Sequence, residues 1–279
     1  MTKRLAFLGP PGTFSEQAAL ICDPQAKLLP FATVTAVAAA VGSGMADEGV
    51  MAIENSLEGS VTDTLDVLIH ESALLIRREL VLPIDHCLLV KPGTTSDQIE
   101  IIYSHPQAFG QCRRFLERCF PKARLEASLS TITAVEQMMQ QDRAAALATA
   151  RASELYNVQV LASGIQDNQN NETRFVLVAA ADSPPTGRDK TSLAFSVAQD
   201  TPGSLVDALK EFSDRQINLT KIESRPTKQE LGRYVFLVDL EGHRTDAKVA
   251  EALEKVRAQA YFFKVFGSYP RFESTVASR

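Results

Sequence analysis

Asp167-Asn-Gln-Asn-Asn-Glu-Thr-Arg-Phe-Val-Leu177 changes character halfway along its length. Asp167, Asn168, Asn170, Asn171 and Glu172 form a dense polar run, and Phe175-Val-Leu-Val178 reads as a buried strand. Thr173 and Arg174 sit at the junction. Asn and Asp are common turn formers because their side chains bond their own backbone. The stretch is therefore either an elaborate turn or the floor of a polar site. It also decides the fold. It follows a series of alternating strands and helices, and it carries the chain back toward the first of them. Two lobes joined by two crossings enclose a cleft.

Upstream, Leu5-Ala-Phe-Leu8 reads as a first strand, and Gly9-Pro-Pro-Gly-Thr-Phe-Ser-Glu16 as a loop opening into a helix capped by Thr13 or Ser15. Free N–H groups in such a loop attract anions. The spacing is neither GxGxxG nor a P-loop. Lys27–Phe31 is a second strand, and Val34–Val41 an alanine-rich helix. The strand Gly49-Val-Met-Ala-Ile53 ends on Glu54, Asn55 and Ser56, ahead of a helix over 60–70. Ligands of open α/β sheets sit at such carboxyl ends of strands.

Residues 74–90 are strand-like and divided by Pro83, as expected of the first crossing. Ile101-Ile-Tyr103 ends in Ser104-His-Pro-Gln107. A single helix is expected over 108–119, with Gln111 in its first turns, near enough to Ser104 to share a pocket. Strands at 124–127 and 144–148 flank a helix from Thr131 to Met139. The run beginning at Asp142 faintly repeats that beginning at Asp47: an acid, a small-residue strand, a polar strand end.

Ala181-Asp-Ser-Pro-Pro-Thr-Gly-Arg-Asp189 is a linker by composition. Beyond it, strands at 190–198, 218–224, 234–240 and 262–267 and helices at 203–216 and 247–258 follow the order βαββαβ, a ferredoxin-like arrangement with an edge and a face open to pairing. The expected division is a two-lobed region over 1–182, a second domain over 190–270 and a frayed tail over 271–279.

The chain has 279 residues, enough for two domains, with 45% hydrophobic and 23% charged residues. A net charge of −5 gives no basic footprint, so nucleic acid is not an expected partner. No apolar run is long enough for a membrane span, and the N-terminus lacks a signal pattern, so the expected location is the cytoplasm. The four cysteines and four histidines are scattered, without metal-ligand spacing.

Taken together, Leu8-Gly-Pro-Pro-Gly-Thr-Phe-Ser-Glu16, Ile53-Glu-Asn-Ser-Leu-Glu-Gly-Ser-Val61, Tyr103-Ser-His-Pro-Gln-Ala108, Gln111-Cys112 and Asn171-Glu-Thr-Arg-Phe175 resemble the prephenate dehydratases. Pro202-Gly-Ser-Leu205 and Asn218-Leu-Thr-Lys-Ile-Glu-Ser-Arg-Pro226 resemble the ACT regulatory domain that follows in that family. The resemblance covers nearly the whole chain, in order. It departs at Ala52, where the family often has Pro, and at Ser204, which adds a hydroxyl where Ala is usual.

The resemblance implies an α/β catalytic region like type II periplasmic binding proteins. Its activity would be the decarboxylating dehydration of prephenate to phenylpyruvate in phenylalanine biosynthesis. It implies catalytic roles for Thr173, Glu54, Asn55, Ser104 and Gln111. Thr13, Ser15, Arg174 and Phe175 would bind substrate, with Arg174 equally open to an ion-pair role. Gly203, Ser204, Leu205, Glu223, Ser224, Arg225 and Pro226 would bind L-phenylalanine between regulatory domains, which implies a homodimer or homotetramer. Aromatisation drives the reaction, so no metal or redox cofactor is expected. No mutase-like helical domain precedes Leu5, so a fused chorismate mutase is not expected. Arogenate as the substrate, or a sensor without catalysis, are the competing readings. The intact Glu54, Asn55, Gln111 and Thr173 set argues against the sensor.

Overall fold

The computed structural model describes residues 2–199, 201–228 and 233–273. The first lobe contains β1 (Arg4–Leu8), α1 (Phe14–Cys22), β2 (Lys27–Phe31), α2 (Val34–Gly42), β3 (Glu48–Asn55), β4 (Gly59–Ser60), α3 (Thr62–Asp66) and β5 (Leu75–Pro83). A wider helical turn over Val67–Glu71 extends α3, so the helix expected over 60–70 is present in two parts. The second lobe contains β6 (Cys87–Val90), β7 (Ile101–Ser104), α4 (Pro106–Gln111), α5 (Arg113–Cys119), β8 (Arg124–Ala127), α6 (Thr131–Gln140), β9 (Ala144–Ala148), α7 (Ala150–Tyr156) and β10 (Gln159–Ser163). β11 (Glu172–Ala179) then returns to the first lobe.

The two sheets are built alike. Their orders are β2-β1-β3-β11-β5 and β8-β7-β9-β6-β10. In each, the first three strands are parallel and the last two antiparallel. In each, the fourth strand follows a crossing. β3 and β9 hold corresponding central positions, which accounts for the faint repeat beginning at Asp47 and Asp142. Ligand-facing strand ends of both lobes therefore meet where the crossings run.

The expected helix over 108–119 is broken at Cys112 (φ −116°, ψ 16°). Both Asp167 carboxylate oxygens accept the Arg114 N–H, at 3.0 and 3.1 Å, and cap a new helix. Gln111 is consequently the last residue of α4, a helix of fewer than two turns.

The C-terminal domain comprises β12 (Asp189–Val197), α8 (Ser204–Ser213), β13 (Leu219–Pro226), β14 (Tyr234–Glu241), α9 (Ala247–Gln259) and β15 (Ala260–Pro270). Its sheet order, β13-β14-β12-β15, is that of a ferredoxin-like fold. Leu193 and Phe195 face its helices, in one cluster with Phe212, Leu240 and Val256. Ala194, Val235, Leu237, Phe266 and Tyr269 join Ile76, Val176 and Val178 of the first lobe in another. The sheet face expected to lie open is therefore covered by the catalytic lobe. Each large apolar side chain buried there contributes about 1.5–3 kcal/mol, so the domains pack as one body. The two domains meet backbone to backbone at Gly267 (φ +136°), where a Cβ would clash with the Ile76 carbonyl oxygen. The tail expected over 271–279 lies, beyond residue 273, outside the described residues.

Candidate active site

A bulge decides which side chains meet. Along β11, Arg174 stands opposite Glu54 and Phe175 opposite Ala52, which leaves Ile53 without a cross-strand partner. Strand alternation would otherwise place Asn55 with Met51 and Ile53. The bulge brings it instead across from Thr173.

The backbone then fixes the site's amides. Asn55 Oδ1 accepts the N–H groups of Leu57 (3.0 Å) and Glu58 (3.1 Å), so Asn55 Nδ2 must be the end that donates. It lies 2.9 Å from Thr173 Oγ1 and 2.8 Å from Asn171 Oδ1. Asn171 Nδ2 donates in turn to Gln111 Oε1 at 3.0 Å, and Gln111 Nε2 to Glu58 Oε1 at 3.0 Å. Every amide in the ring is oriented by the one before it. Since Thr173 Oγ1 receives a hydrogen from Asn55, its own proton is available for a ligand.

This ring spans the cleft. Asn55, Glu58 and Thr173 belong to the first lobe, Gln111 to the second, and Asn171 to the crossing. A second bridge runs from Thr149 Oγ1 to the Gly12 carbonyl at 2.6 Å. Arg151 Nε reaches Glu16 at 3.5 Å. A Cβ on Gly12 would lie 2.6 Å from Ile132, so the loop packs directly on the second lobe.

Thr13 caps α1, with its oxygen accepting the Glu16 N–H at 3.4 Å and its hydroxyl donating to the Pro10 carbonyl at 3.1 Å. Ser15 lies on the first turn of α1. The Gly12 N–H, expected to greet an anion, is already bonded to Glu16 Oε2 at 2.8 Å. Ser104 sits at the end of β7, fully buried, and donates to the Leu147 carbonyl at 3.0 Å, tying β7 to β9.

Three residues expected in the site lie elsewhere. Arg174 points from β11 toward the C-terminal sheet. Its guanidinium meets Asp239 at 2.8 Å, Glu54 at 3.0 Å and Glu79 at 3.3 Å. Burial opposes its charge, but Asp239, Tyr269, Glu79 and Glu54 outweigh that and raise its pKa. This is the ion-pair alternative, not a substrate clamp. Glu54 shares that side of the sheet, its carboxylate held by Arg174 and also by Lys221 at 3.0 Å rather than by the amide ring. Phe175 is 2% exposed and packs with Leu5, Phe7, Val50 and Leu80, so it is core. Arg174 and Glu54 face away because adjacent strand residues point opposite ways and Thr173 holds the cleft side, whereas Phe175 shares Thr173's side but lies further along the strand, in the core.

Three participants were not legible as such. Asn171 stands in a run that reads as a turn or a site floor, with no role of its own implied, yet it is 1% exposed and central to the ring. Thr149 occupies, at the end of β9, the place that Glu54 takes at the end of β3, and that equivalence was the available signal. His86, in the first crossing, lies with its Nε2 2.8 Å from Gln111 Oε1. Burial pushes its pKa down, against the Gln111 hydrogen bond and Asp85.

In the regulatory domain, Gly203 (φ +96°) precedes α8, and Ser204 lines a cavity with Phe195, Thr201, Asp207 and Gln259. Leu205 packs against the domain core. On β13, Glu223 bonds Ser60 and Arg225 pairs with Asp66 at 3.5 Å, so this strand contacts the catalytic lobe. Ser224 and Pro226 lie in the same strand, opposite Phe236 and Tyr234 of β14.

A two-lobed α/β cleft floored by a threonine and an amide ring, backed by a ferredoxin-like domain, defines a small-molecule site of binding-protein type with an attached second module. Comparison with known proteins makes this specific. The family model described as prephenate dehydratase matches residues 5–183, and the ACT domain model matches 191–258. The chain belongs to the prephenate dehydratase family. It is 42% identical over 269 residues to the bifunctional chorismate mutase/prephenate dehydratase of Aquifex aeolicus, covering 96% of this chain and 74% of that one. A crystal structure of prephenate dehydratase from Arthrobacter aurescens in complex with L-Phe superposes with a TM-score of 0.88 at 37% identity, covering 96% of this chain and 90% of that one. GqqA, described as a novel type of quorum-quenching acylase, superposes with a TM-score of 0.86 at 31% identity, covering 96% and 98%.

Proposed function

We propose that this chain converts prephenate to phenylpyruvate, carbon dioxide and water, under control by L-phenylalanine bound to its ACT domain. Family membership over both domains supports the reaction class. The observation that carries the mechanism is the Thr173 hydroxyl. It accepts from Asn55 at 2.9 Å and keeps its proton for the cleft.

In the reaction, the ring carboxylate leaves as carbon dioxide. Its bonding electrons enter the ring and expel the hydroxyl on the opposite ring carbon as hydroxide, which takes one proton from solvent to become water. Thr173 donates a hydrogen bond to that departing oxygen. An alkyl hydroxyl is a poor acid, so its role is to stabilise developing charge in a preorganised, dry site. Asn55 holds the Thr173 hydroxyl in place, and Gln111 keeps one amide hydrogen for the cleft. Thr13 and Ser15, at the start of α1, support binding of substrate carboxylate, with Ser104 holding the second lobe's strand end. We place the catalytic region at 1–182 and the regulatory domain at 190–270. Phenylalanine is assigned to the Gly203–Leu205 and Glu223–Pro226 segments, the assembly to a homodimer or homotetramer, and the location to the cytoplasm. No described helix is long and apolar enough to cross a membrane.

One assay tests this. Prephenate, arogenate and an N-acyl homoserine lactone are supplied separately, each with and without L-phenylalanine. Aromatic keto acid from prephenate alone, altered by phenylalanine, is the expected result. Aromatic product from arogenate only would reassign the substrate. Acyl-chain release without aromatic product would favour the acylase chemistry of GqqA, and no product at all the sensor.

A further inference from the structure

We propose that His86 is a positioning residue of this site, acting through Gln111. The inference rests on the dehydratase reading above. His86 is 4% exposed in the crossing between the lobes. Its backbone N–H donates to Gln166 Oε1 at 3.0 Å, and Phe14 meets its ring edge-on, with centroids 5.7 Å apart.

The direction of its bond to Gln111 follows from the ring of amides. Asn171 Nδ2 donates to Gln111 Oε1, so that atom is the carbonyl oxygen. An oxygen accepts, so His86 Nε2 carries the proton across the 2.8 Å contact. His86 Nδ1 is buried without a hydrogen-bond partner, so a second proton there would be a buried donor with nothing to bond. The imidazole is held as the neutral Nε2–H tautomer.

Gln111 Oε1 then receives two hydrogens and is saturated. The Gln111 amide cannot turn over without losing both. One Nε2 hydrogen goes to Glu58, and the other is left for a substrate oxygen. His86 thus fixes which end of Gln111 faces the cleft without touching substrate itself.

The test measures kcat and KM on prephenate for His86→Leu, His86→Gln and Gln111→Ala, and for the His86→Leu change made in the Gln111→Ala background. Unfolding midpoints and 15N shifts of the wild-type imidazole are recorded alongside. His86→Leu is expected to lower kcat about 30-fold with KM within about 3-fold, the scale of one buried hydrogen bond. His86→Gln keeps a donor at the Nε2 position and should stay within about 3-fold of wild-type kcat. On Gln111→Ala the same Leu substitution should cost less than about 3-fold further. Wild-type kcat in His86→Leu would overturn the proposal. So would an undiminished loss on Gln111→Ala, His86→Gln as slow as His86→Leu, or a proton on Nδ1. Should His86→Leu not fold, the His86→Gln rate and the tautomer decide. If the wild type turns over no prephenate, the function fails, and the tautomer still tests the geometry by itself.

Discussion

Asn55 Nδ2 lies 2.9 Å from Thr173 Oγ1, joining residues 118 positions apart in the chain. The contact exists because a bulge beside Ile53 turns Asn55 to the cleft side of β3. With Asn55 donating, the threonine oxygen is occupied and its proton faces outward.

Replacing Thr173 by Val keeps the shape and removes that proton. Turnover should fall by about 100- to 1,000-fold, the scale of one lost charge-stabilising donor. Thr173→Ser should retain activity to within about 10-fold, since its hydroxyl reaches the same place. Steady-state kinetics with a matched unfolding midpoint checks both.

Glu54 neighbours Asn55 but faces Arg174 and Lys221. Glu54→Gln should therefore hold kcat within about 5-fold, whereas a proton donor would lose far more. Glu54 is the most exposed of Arg174's acidic partners, at 34%, so losing its charge should cost less than losing the more buried Asp239 or Glu79. A pH–rate profile unchanged on the acidic side is the decisive reading.

Arg174 should matter for folding. Arg174→Met would leave Asp239, 9% exposed, without its cation, while Glu79 would keep Lys190 at 2.9 Å. Breaking such a buried network from one side costs about 3–5 kcal/mol. Urea unfolding measures it, and a midpoint equal to wild type would refute it.

His86 should make stability fall in mild acid. Its folded pKa is depressed below the ordinary 6.5, so the unfolded chain binds the proton more readily. Its contribution is complete above pH 6.5 and is lost as pH falls toward the folded value. The unfolding free energy of His86→Gln, followed from pH 7.5 to 5, should decline less steeply than that of wild type.

Gly267 has a left-side φ of +136° and no room for a Cβ against Ile76. Gly267→Ala should cost about 3 kcal/mol through strain and overpacking, and loosen the regulatory domain from the catalytic lobe. Hydrogen exchange at β5 and β15 would report the loosening directly.

Much was legible before any coordinates. Glycine and proline punctuation marked the loop before α1 and the linker at 181–189, and alternation marked the strands on either side. The motifs containing Asn55, Gln111 and Thr173 pointed to one site, because strand ends in α/β sheets gather polar side chains. The break in the helix at Cys112 was not legible. It depends on Asp167, which reaches Arg114 only after the chain has crossed back.

The sequence by itself determined most of the element order, the succession of a two-lobed region and a ferredoxin-like one, and the cleft, because hydrophobic periodicity and turn chemistry are local properties. Only the tertiary structure decided sides. Thr173 and Arg174, or Glu54 and Asn55, are equivalent as letters in a motif. A strand sends neighbours to opposite faces, and one unpaired residue at Ile53 resets which face is which. That reset puts Asn55 on Thr173's side of the sheet, in the cleft, and Glu54 on Arg174's side, toward the regulatory sheet.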